Sequence, residues 1–69
     1  MAQLLSPLAG KIQEINMAVG QTITEDDEVM IIEAMKMENP VYGENGVVKE
    51  ILVKAGDMVE EDTPLAVVE

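Results

Sequence analysis

The chain contains an internal repeat, and this feature restricts its fold more than any other. A shift of 36 positions aligns residues 10–33 with residues 46–69 without a gap. Seven aligned positions are identical: Gly10/Gly46, Glu14/Glu50, Ile15/Ile51, Gly20/Gly56, Glu25/Glu61, Asp26/Asp62 and Glu33/Glu69. A segment this short cannot bury an apolar face by itself, so we expect two similar half-units that pack on each other.

Each copy consists of short apolar runs bounded by Gly, Pro or Asp, a pattern typical of short strands and turns. The runs are 12–17, 29–32, 47–53 and 65–68. They predict an all-β fold, a sandwich or a flattened barrel, in which each copy contributes a four-stranded unit. Asp26 and Asp62 stand in the turns, where a residue with positive φ is needed and Asp is tolerated.

The spacing of apolar residues within the first long strand of each copy is irregular. One three-residue step is followed by two-residue steps, in the sets Ile12, Ile15, Met17, Val19 and Val48, Ile51, Val53, Ala55. A bulge or corner after the first inward residue gives that spacing in a strand. We therefore expect both sets to face the core, with Ile15 and Ile51 as symmetry mates inside it.

The segment "EVMIIEAMKMEN", residues 28–39, contradicts this pattern locally. It is rich in Glu, Ala, Met and Lys, which favour helix. The repeat favours strand, because residues 29–33 align with 65–69, where "PLAVVE" is typical of a strand. We predict strand, turn and strand here, so that Lys36 lies at or beside the tip of a surface hairpin within the connector 34–45.

Composition limits the possible functions. The chain has no Cys and no His, which excludes disulfides, thiolate metal sites and the usual general base near neutral pH. Fourteen acidic residues against four lysines give a net charge of −10, which argues against binding to nucleic acid or anionic membranes. No apolar run approaches the roughly 20 residues of a membrane-spanning helix, so direct membrane insertion is not expected. A chain so poor in catalytic groups is not expected to be an enzyme by itself.

Lys36 lies between two methionines in "EAMKM", residues 33–37. Either it is the polar edge of an amphipathic turn, or it is presented to another protein for modification. Lys11, Lys49 and Lys54 lie inside the repeat units, where a solvated strand face explains them.

The motif and its two flanking repeats resemble the biotinyl domain, the biotin carboxyl carrier module of the biotinyl/lipoyl attachment family. The resemblance rests on "EAMKM", on "GKIQEINMAVG" (10–20) and on "GVVKEILVKAGDMV" (46–59), and it extends from about Ser6 to Glu69. It implies a single domain over residues 1–69, with the flattened barrel of two four-stranded sheets and pseudo-twofold symmetry that the family shares. It also implies covalent biotin on Lys36, with Met35 and Met37 as flanking recognition residues and Ala34 as a further residue of the cofactor-binding motif.

The resemblance further implies a set of partners and a cytoplasmic location. A biotin protein ligase would attach the cofactor, because a free lysine amine is protonated at neutral pH and does not acylate itself. A biotin carboxylase would load a carboxyl group onto biotin, and a carboxyltransferase or decarboxylase subunit would remove it. The alternatives are a lipoyl carrier, which usually presents Asp-Lys-Ala or a similar trio, and an unmodified docking module. The parent enzyme stays open.

Overall fold

The computed structural model describes residues 2–69, which form eight β-strands and no helix. The strands in chain order are β1 (Ala2–Leu5), β2 (Gly10–Ile15), β3 (Thr22–Ile23), β4 (Glu28–Ala34), β5 (Met37–Tyr42), β6 (Gly46–Ile51), β7 (Met58–Val59) and β8 (Pro64–Val68). Within this described part, no helix is long and apolar enough to cross a membrane. The strand–turn–strand prediction for residues 28–39 is confirmed.

The strands form two four-stranded antiparallel sheets, ordered β1-β8-β6-β3 and β5-β4-β2-β7. Exchanging each strand for its repeat mate (β1 for β5, β2 for β6, β3 for β7, β4 for β8) converts one order into the other. The two sheets pack as a flattened barrel-sandwich with a pseudo-twofold axis, which confirms the predicted fold class.

Each sheet contains strands from both copies of the repeat. The short strand β3 of the first copy pairs with β6, and its mate β7 pairs with β2. Hydrogen bonds repeat the exchange: the Gly20 amide donates to the Val48 carbonyl at 2.7 Å, and the Gly56 amide donates to the Ile12 carbonyl at 2.7 Å. Neither copy can therefore complete its hydrogen bonds without the other.

The predicted bulges lie where the irregular spacing placed them. The register of β2 against β4 shifts between Ile12 and Glu14, and that of β6 against β8 shifts between Val48 and Glu50. The inward sets, however, end earlier than predicted. Val19 is 63% exposed and Ala55 is also exposed. Both lie in turns that cross to the other copy's strand, so strand alternation no longer applies to them.

The core is aliphatic and lies between the two sheets. Its buried apolar residues are Leu4, Ile12, Met17, Ile23, Val29, Met30, Ile32, Val41, Val48, Val59, Leu65, Ala66 and Val68. Ile15 and Ile51 are only half-buried at its margin, packed against the cluster rather than inside it. As expected, this symmetric pair contacts the core, but neither side chain is buried inside it.

The two turn aspartates differ in conformation. Asp62 has φ of 68°, as expected, and its amide donates to the Ser6 carbonyl at 2.8 Å. Asp26 does not have a positive φ, so that expectation is wrong. Its amide bonds locally to the Thr24 hydroxyl at 3.4 Å, and the preceding Glu25 amide donates to Asn45 Oδ1 at 3.2 Å. Different partners give the two turns different backbones despite the same residue.

The structural repeat extends beyond the aligned sequence, into β1 and β5, with an offset of 37 in place of 36. Leu4 pairs with Ala66 and its mate Val41 pairs with Met30, and both ladders then shift register at the next residue. The Ser6 amide donates to the Thr63 carbonyl, as the Gly43 amide does to the Asp27 carbonyl. The offset differs because the connector before β6 is one residue shorter than the connector before β2. No aligned residue of β1 and β5 is identical, so the sequence alone did not show this part of the repeat.

The burial pattern predicts unequal sensitivity of two isoleucines in β2. Ile12 is fully buried, so Ile12→Ala should lower the free energy of unfolding by about 2–5 kcal/mol. Ile15→Ala should cost less than half of the Ile12 value, because its side chain is already partly in water. Urea denaturation measures both. Val19→Ala is the exposed control and should stay within about 0.5 kcal/mol of the wild type. Equal losses at Ile12 and Ile15 would contradict the assigned register.

Candidate attachment site

Lys36 lies at the tip of the hairpin formed by β4 and β5. Ala34 pairs with Met37, so only Met35 and Lys36 remain in the turn. Both turn residues are left-handed, with φ of 54° and 63° respectively. Positive φ at both central positions is what a type I′ turn requires, the turn whose twist matches that of the flanking strands. The predicted position of Lys36 at the tip agrees with the structure.

The chemistry of this turn is unusual. Type I′ turns strongly prefer Asn-Gly, because other L-residues in the left-handed region bring Cβ close to a carbonyl oxygen. The penalty is roughly 1–2 kcal/mol per residue. Met and Lys have no short polar group to offset it. Strained residues at an exposed turn indicate selection for something other than stability.

The side chains at the tip are highly exposed. Met35 is 95% exposed and Met37 is 65% exposed, whereas Met17 and Met30 lie in the core. Lys36 is exposed as well. Lys49 and Glu69, at 3.5 Å, form the one ion pair found among residues 2–69, so no carboxylate there holds the Lys36 amine. The amine is open to a protein that approaches from solvent.

The base of the hairpin is fixed by a close approach of β2. A Cβ atom on Gly10 would lie 2.6 Å from the Glu33 carbonyl oxygen and 3.2 Å from Ala34 Cβ. Glycine is therefore required for β2 to lie against β4 immediately before the turn, and half-buried Ala34 fits beside it. Gly46 has the same role in the second copy, where its Cβ would lie 2.8 Å from the Glu69 carbonyl oxygen.

Asn39 stabilises the hairpin from the β5 side. Its side-chain amide donates to the Met37 carbonyl at 3.2 Å and to the Ile32 carbonyl at 3.4 Å, across the two strands. Neither Asn39 nor Gly10 was identified as a site residue from the sequence. The identity of Gly10 and Gly46 in the repeat was a signal for the glycine, and nothing comparable marked Asn39.

Glu33 and Glu38 face each other directly across the hairpin, one pair below the tip. Like charges at opposed positions destabilise a sheet, by roughly 0.2–1 kcal/mol. The hairpin thus combines a strained turn with a repulsive pair, and it presents one cation above two exposed carboxylates.

The remaining chemistry of the described residues is sparse. Residues 2–69 contain no group of three or more acidic side chains arranged to hold a metal ion. The chain has no His or Cys. What the site offers is one accessible primary amine on a fixed backbone, which suits covalent attachment of an acyl group.

Comparison with known proteins agrees with this geometry. The Biotin_lipoyl family, described as biotin-requiring enzyme, matches residues 2–68. The chain belongs to this family. The expected family and its cofactor, biotin, are thereby confirmed. The exposed amine at the hairpin tip fits that cofactor, because an accessible amine is the group that a protein contributes to an amide bond with biotin.

Individual relatives of this biotin-requiring domain are mostly much longer. The alpha3 subunit of the biotin-dependent acyl-coenzyme A carboxylase of Mycobacterium leprae is 39% identical over 62 residues, which are 88% of this chain and 10% of that protein. The biotin carboxyl carrier protein of acetyl-CoA carboxylase of Haemophilus influenzae is 48% identical over 52 residues, 74% of this chain and 34% of that protein. Urea carboxylase of Kluyveromyces lactis has a TM-score of 0.87 at 40% identity, covering 99% of this chain and 6% of that one.

The strained turn leads to a test of stability in this biotinyl-type domain. Lys36→Gly should raise the free energy of unfolding by about 1 kcal/mol, because glycine adopts φ of 63° without the Cβ penalty. Chemical denaturation measures the change. Ala34→Gly is the matched control, since Ala34 lies in β4 without a positive φ, and it should lower stability by about 0.5–1 kcal/mol. A loss of stability for Lys36→Gly would contradict the assignment of strain to the turn.

Proposed function

We propose that Lys36 carries biotin in amide linkage and that the domain moves carboxyl groups between partner enzymes. The observation that carries this proposal is the geometry of the tip: an unpaired, exposed amine in a strained two-residue turn between two exposed methionines. Membership of a biotin-requiring family supports it.

The residues near Lys36 determine which parts of the attachment reaction the domain supplies and which parts a ligase supplies. Attachment requires the Lys36 nitrogen to lose a proton and to attack an activated acyl carbon of biotin, whose leaving group departs as the amide bond forms. The tip has no effective general base to remove that proton. The nearest side chains are methionines and an alanine, and the carboxylates of Glu33 and Glu38 below them are far weaker bases than a lysine amine. A biotin protein ligase therefore supplies the base and the activated acyl group, and the domain itself is a non-catalytic carrier.

The fold contributes position. The Lys36 backbone is held by β4 and β5, and their base is held by Gly10 and Asn39. Beyond that backbone the lysine side chain is free in solvent. A fixed origin with a mobile arm allows the same group to enter different active sites, while Met35 and Met37 give partners uncharged, adaptable contacts.

The proposed partners are a biotin carboxylase and a carboxyltransferase or decarboxylase subunit. The relationship to segments of an acyl-coenzyme A carboxylase and of urea carboxylase supports this class of partner. A net charge of −10 disfavours nucleic acid and anionic membranes as partners. A cytoplasmic location is part of the same proposal.

A lipoyl carrier is the second candidate, because the matching family covers both biotin and lipoyl attachment in its name. The flanks of Lys36 argue against it, since Met35 and Met37 replace the Asp-Lys-Ala type of trio that lipoyl domains present. Two of the relatives described above, the carboxylase subunit of Mycobacterium leprae and the carrier protein of Haemophilus influenzae, carry biotin in their names. The two candidates differ by the mass of the group attached to Lys36.

Substitution of the modified lysine tests the site directly. Lys36→Arg should lose all biotin incorporation on incubation with purified biotin protein ligase, biotin and ATP, because arginine keeps the charge without an acylable amine. Intact-mass spectrometry followed by peptide mapping measures the adduct. Lys54→Arg, at another exposed lysine, is the control and should be modified like the wild type. A biotin adduct on the Lys36→Arg protein would place the site elsewhere, and a lipoyl adduct on the protein from cells would favour the second candidate.

Exchange of neighbours within the turn tests whether the ligase reads position. The double variant Met35→Lys with Lys36→Met keeps composition, charge and two exposed side chains, and it moves the amine by one residue, about 3.8 Å along the backbone. A misplacement of about 1 Å can already reduce a rate roughly 100-fold, so we expect loss of most of the initial biotinylation rate. Circular dichroism confirms that both proteins are folded. Near-equal rates would mean that the ligase accepts any lysine near the tip.

A further inference from the structure

An apolar groove begins beside the hairpin tip. It has a volume of about 490 Å³ and lies between the end of the hairpin and strand β7. Ala34 and Met35 line it on one side, Met58 and Val59 line it on the other, and the acidic residues Glu33 and Glu60 also border it. Since Met35 is the residue next to Lys36, the groove opens directly beside the base of the lysine side chain.

The pseudo-symmetry shows that part of the apolar lining differs between the two copies. Met58 is the mate of Thr22, and both are exposed at the start of equivalent strands. Ala9, which also lines the groove, corresponds to the polar Asn45, whereas Val59 corresponds to the equally apolar Ile23. The strands are arranged alike in the two copies, so Met58 and Ala9 make this groove more apolar than the equivalent positions of the other copy.

Met58 is the least expected of these side chains. It is 74% exposed, although it lies outside the tip and outside the attachment motif. Its mate shows that a polar residue is compatible with the fold at that position. Methionine is flexible and polarisable, and it adapts to apolar ligands of irregular shape. An exposed methionine that lines the same groove as Met35 thus favours a small apolar ligand over a structural role.

We propose that this groove is a resting site for the biotinyl group attached to Lys36. In that site Met35 and Met58 would contact the thioether-containing ring, and the carboxylates of Glu33 and Glu60 would accept hydrogen bonds from its ureido N–H groups. The inference rests on the proposed function, since it requires biotin on Lys36. The volume falls in the usual range of small-molecule sites, roughly 300–1,000 Å³.

The attachment of biotin to Lys36 makes the biotinyl group the expected occupant of the groove. A ligand tethered by a short flexible arm has an effective concentration on the order of millimolar at a site beside its anchor, so weak contacts suffice to populate the groove. Weak contacts are also required, because a carrier must release its arm to its partners. The ring is uncharged, which suits a groove whose only charged side chains are carboxylates.

The experiment compares the domain before and after biotinylation by NMR, with ¹³C-labelled methionine methyl groups. Intact mass first verifies one biotin on Lys36; its absence would overturn both this inference and the proposed function. With biotin present, the Met58 methyl resonance should shift and show nuclear Overhauser effects to the ring protons, whereas buried Met17 and Met30 should not change. A Met58 resonance identical in both forms overturns the resting site alone.

A matched pair of variants adds a kinetic readout. Met58→Thr introduces the residue found at the symmetry mate, so the fold should tolerate it, and Val19→Thr is the exposed control outside the groove. If about half of the rings are docked, Met58→Thr should increase the association rate with streptavidin about twofold by freeing them, and Val19→Thr should leave it unchanged. Slower attachment by the ligase in Met58→Thr without any contact between Met58 and the ring would assign the groove to ligase docking and overturn the proposal.

Discussion

The structure depends on the exchange of strands and backbone hydrogen bonds between the two copies of the repeat. The Gly20 amide bonds to Val48, and the Gly56 amide bonds to Ile12. Each sheet therefore has its four strands only when both copies are present. A chain of 69 residues thus folds around one shared aliphatic core. Most of its contacts are long-range, so the fold depends on pairing between segments that are distant in sequence. The β4–β5 hairpin is anchored in the shared core by the buried side chains of its two strands, Val29, Met30, Ile32 and Val41.

Strain at the tip is tolerated because β4 is the best-supported strand of its sheet. It pairs with β2 on one side and β5 on the other, and it contributes Val29, Met30 and Ile32 to the core. Two left-handed residues and an opposed pair of glutamates cost a few kcal/mol at most. Burying three aliphatic side chains stabilises the same strand by more, at roughly 1.5–3 kcal/mol each. A less firmly held strand would fray at such a turn.

Repetition made most of the fold predictable from sequence. It overruled helix propensity at residues 28–39, and the three-residue step located both bulges. It did not reveal which way Val19 and Ala55 point, because those turns are set by contacts with the other copy. The positive φ of Met35 and Lys36 was equally hidden, since neither residue type favours it. The position of Lys36 at the tip was predictable from the connector between the repeats. The groove beside it was not, because β7 joins β2 and β4 in one sheet although Met58 is more than 20 residues from Met35 in sequence.

The pseudo-symmetry shows which contacts near the tip of the β4–β5 hairpin belong to the fold that both copies share. The mate of the β4–β5 ladder is the ladder between β8 and β1, in which Ala2 pairs with Val68 as Asn39 pairs with Ile32. In that half the close approach of Gly46 to the Glu69 carbonyl matches the close approach of Gly10 to the Glu33 carbonyl. The contacts that hold the base of the β4–β5 hairpin are therefore part of the fold that both copies share. Met35 and Lys36 contribute nothing to the core and adopt a strained backbone. Under the proposed function, their identity is explained by the proteins that recognise the lysine.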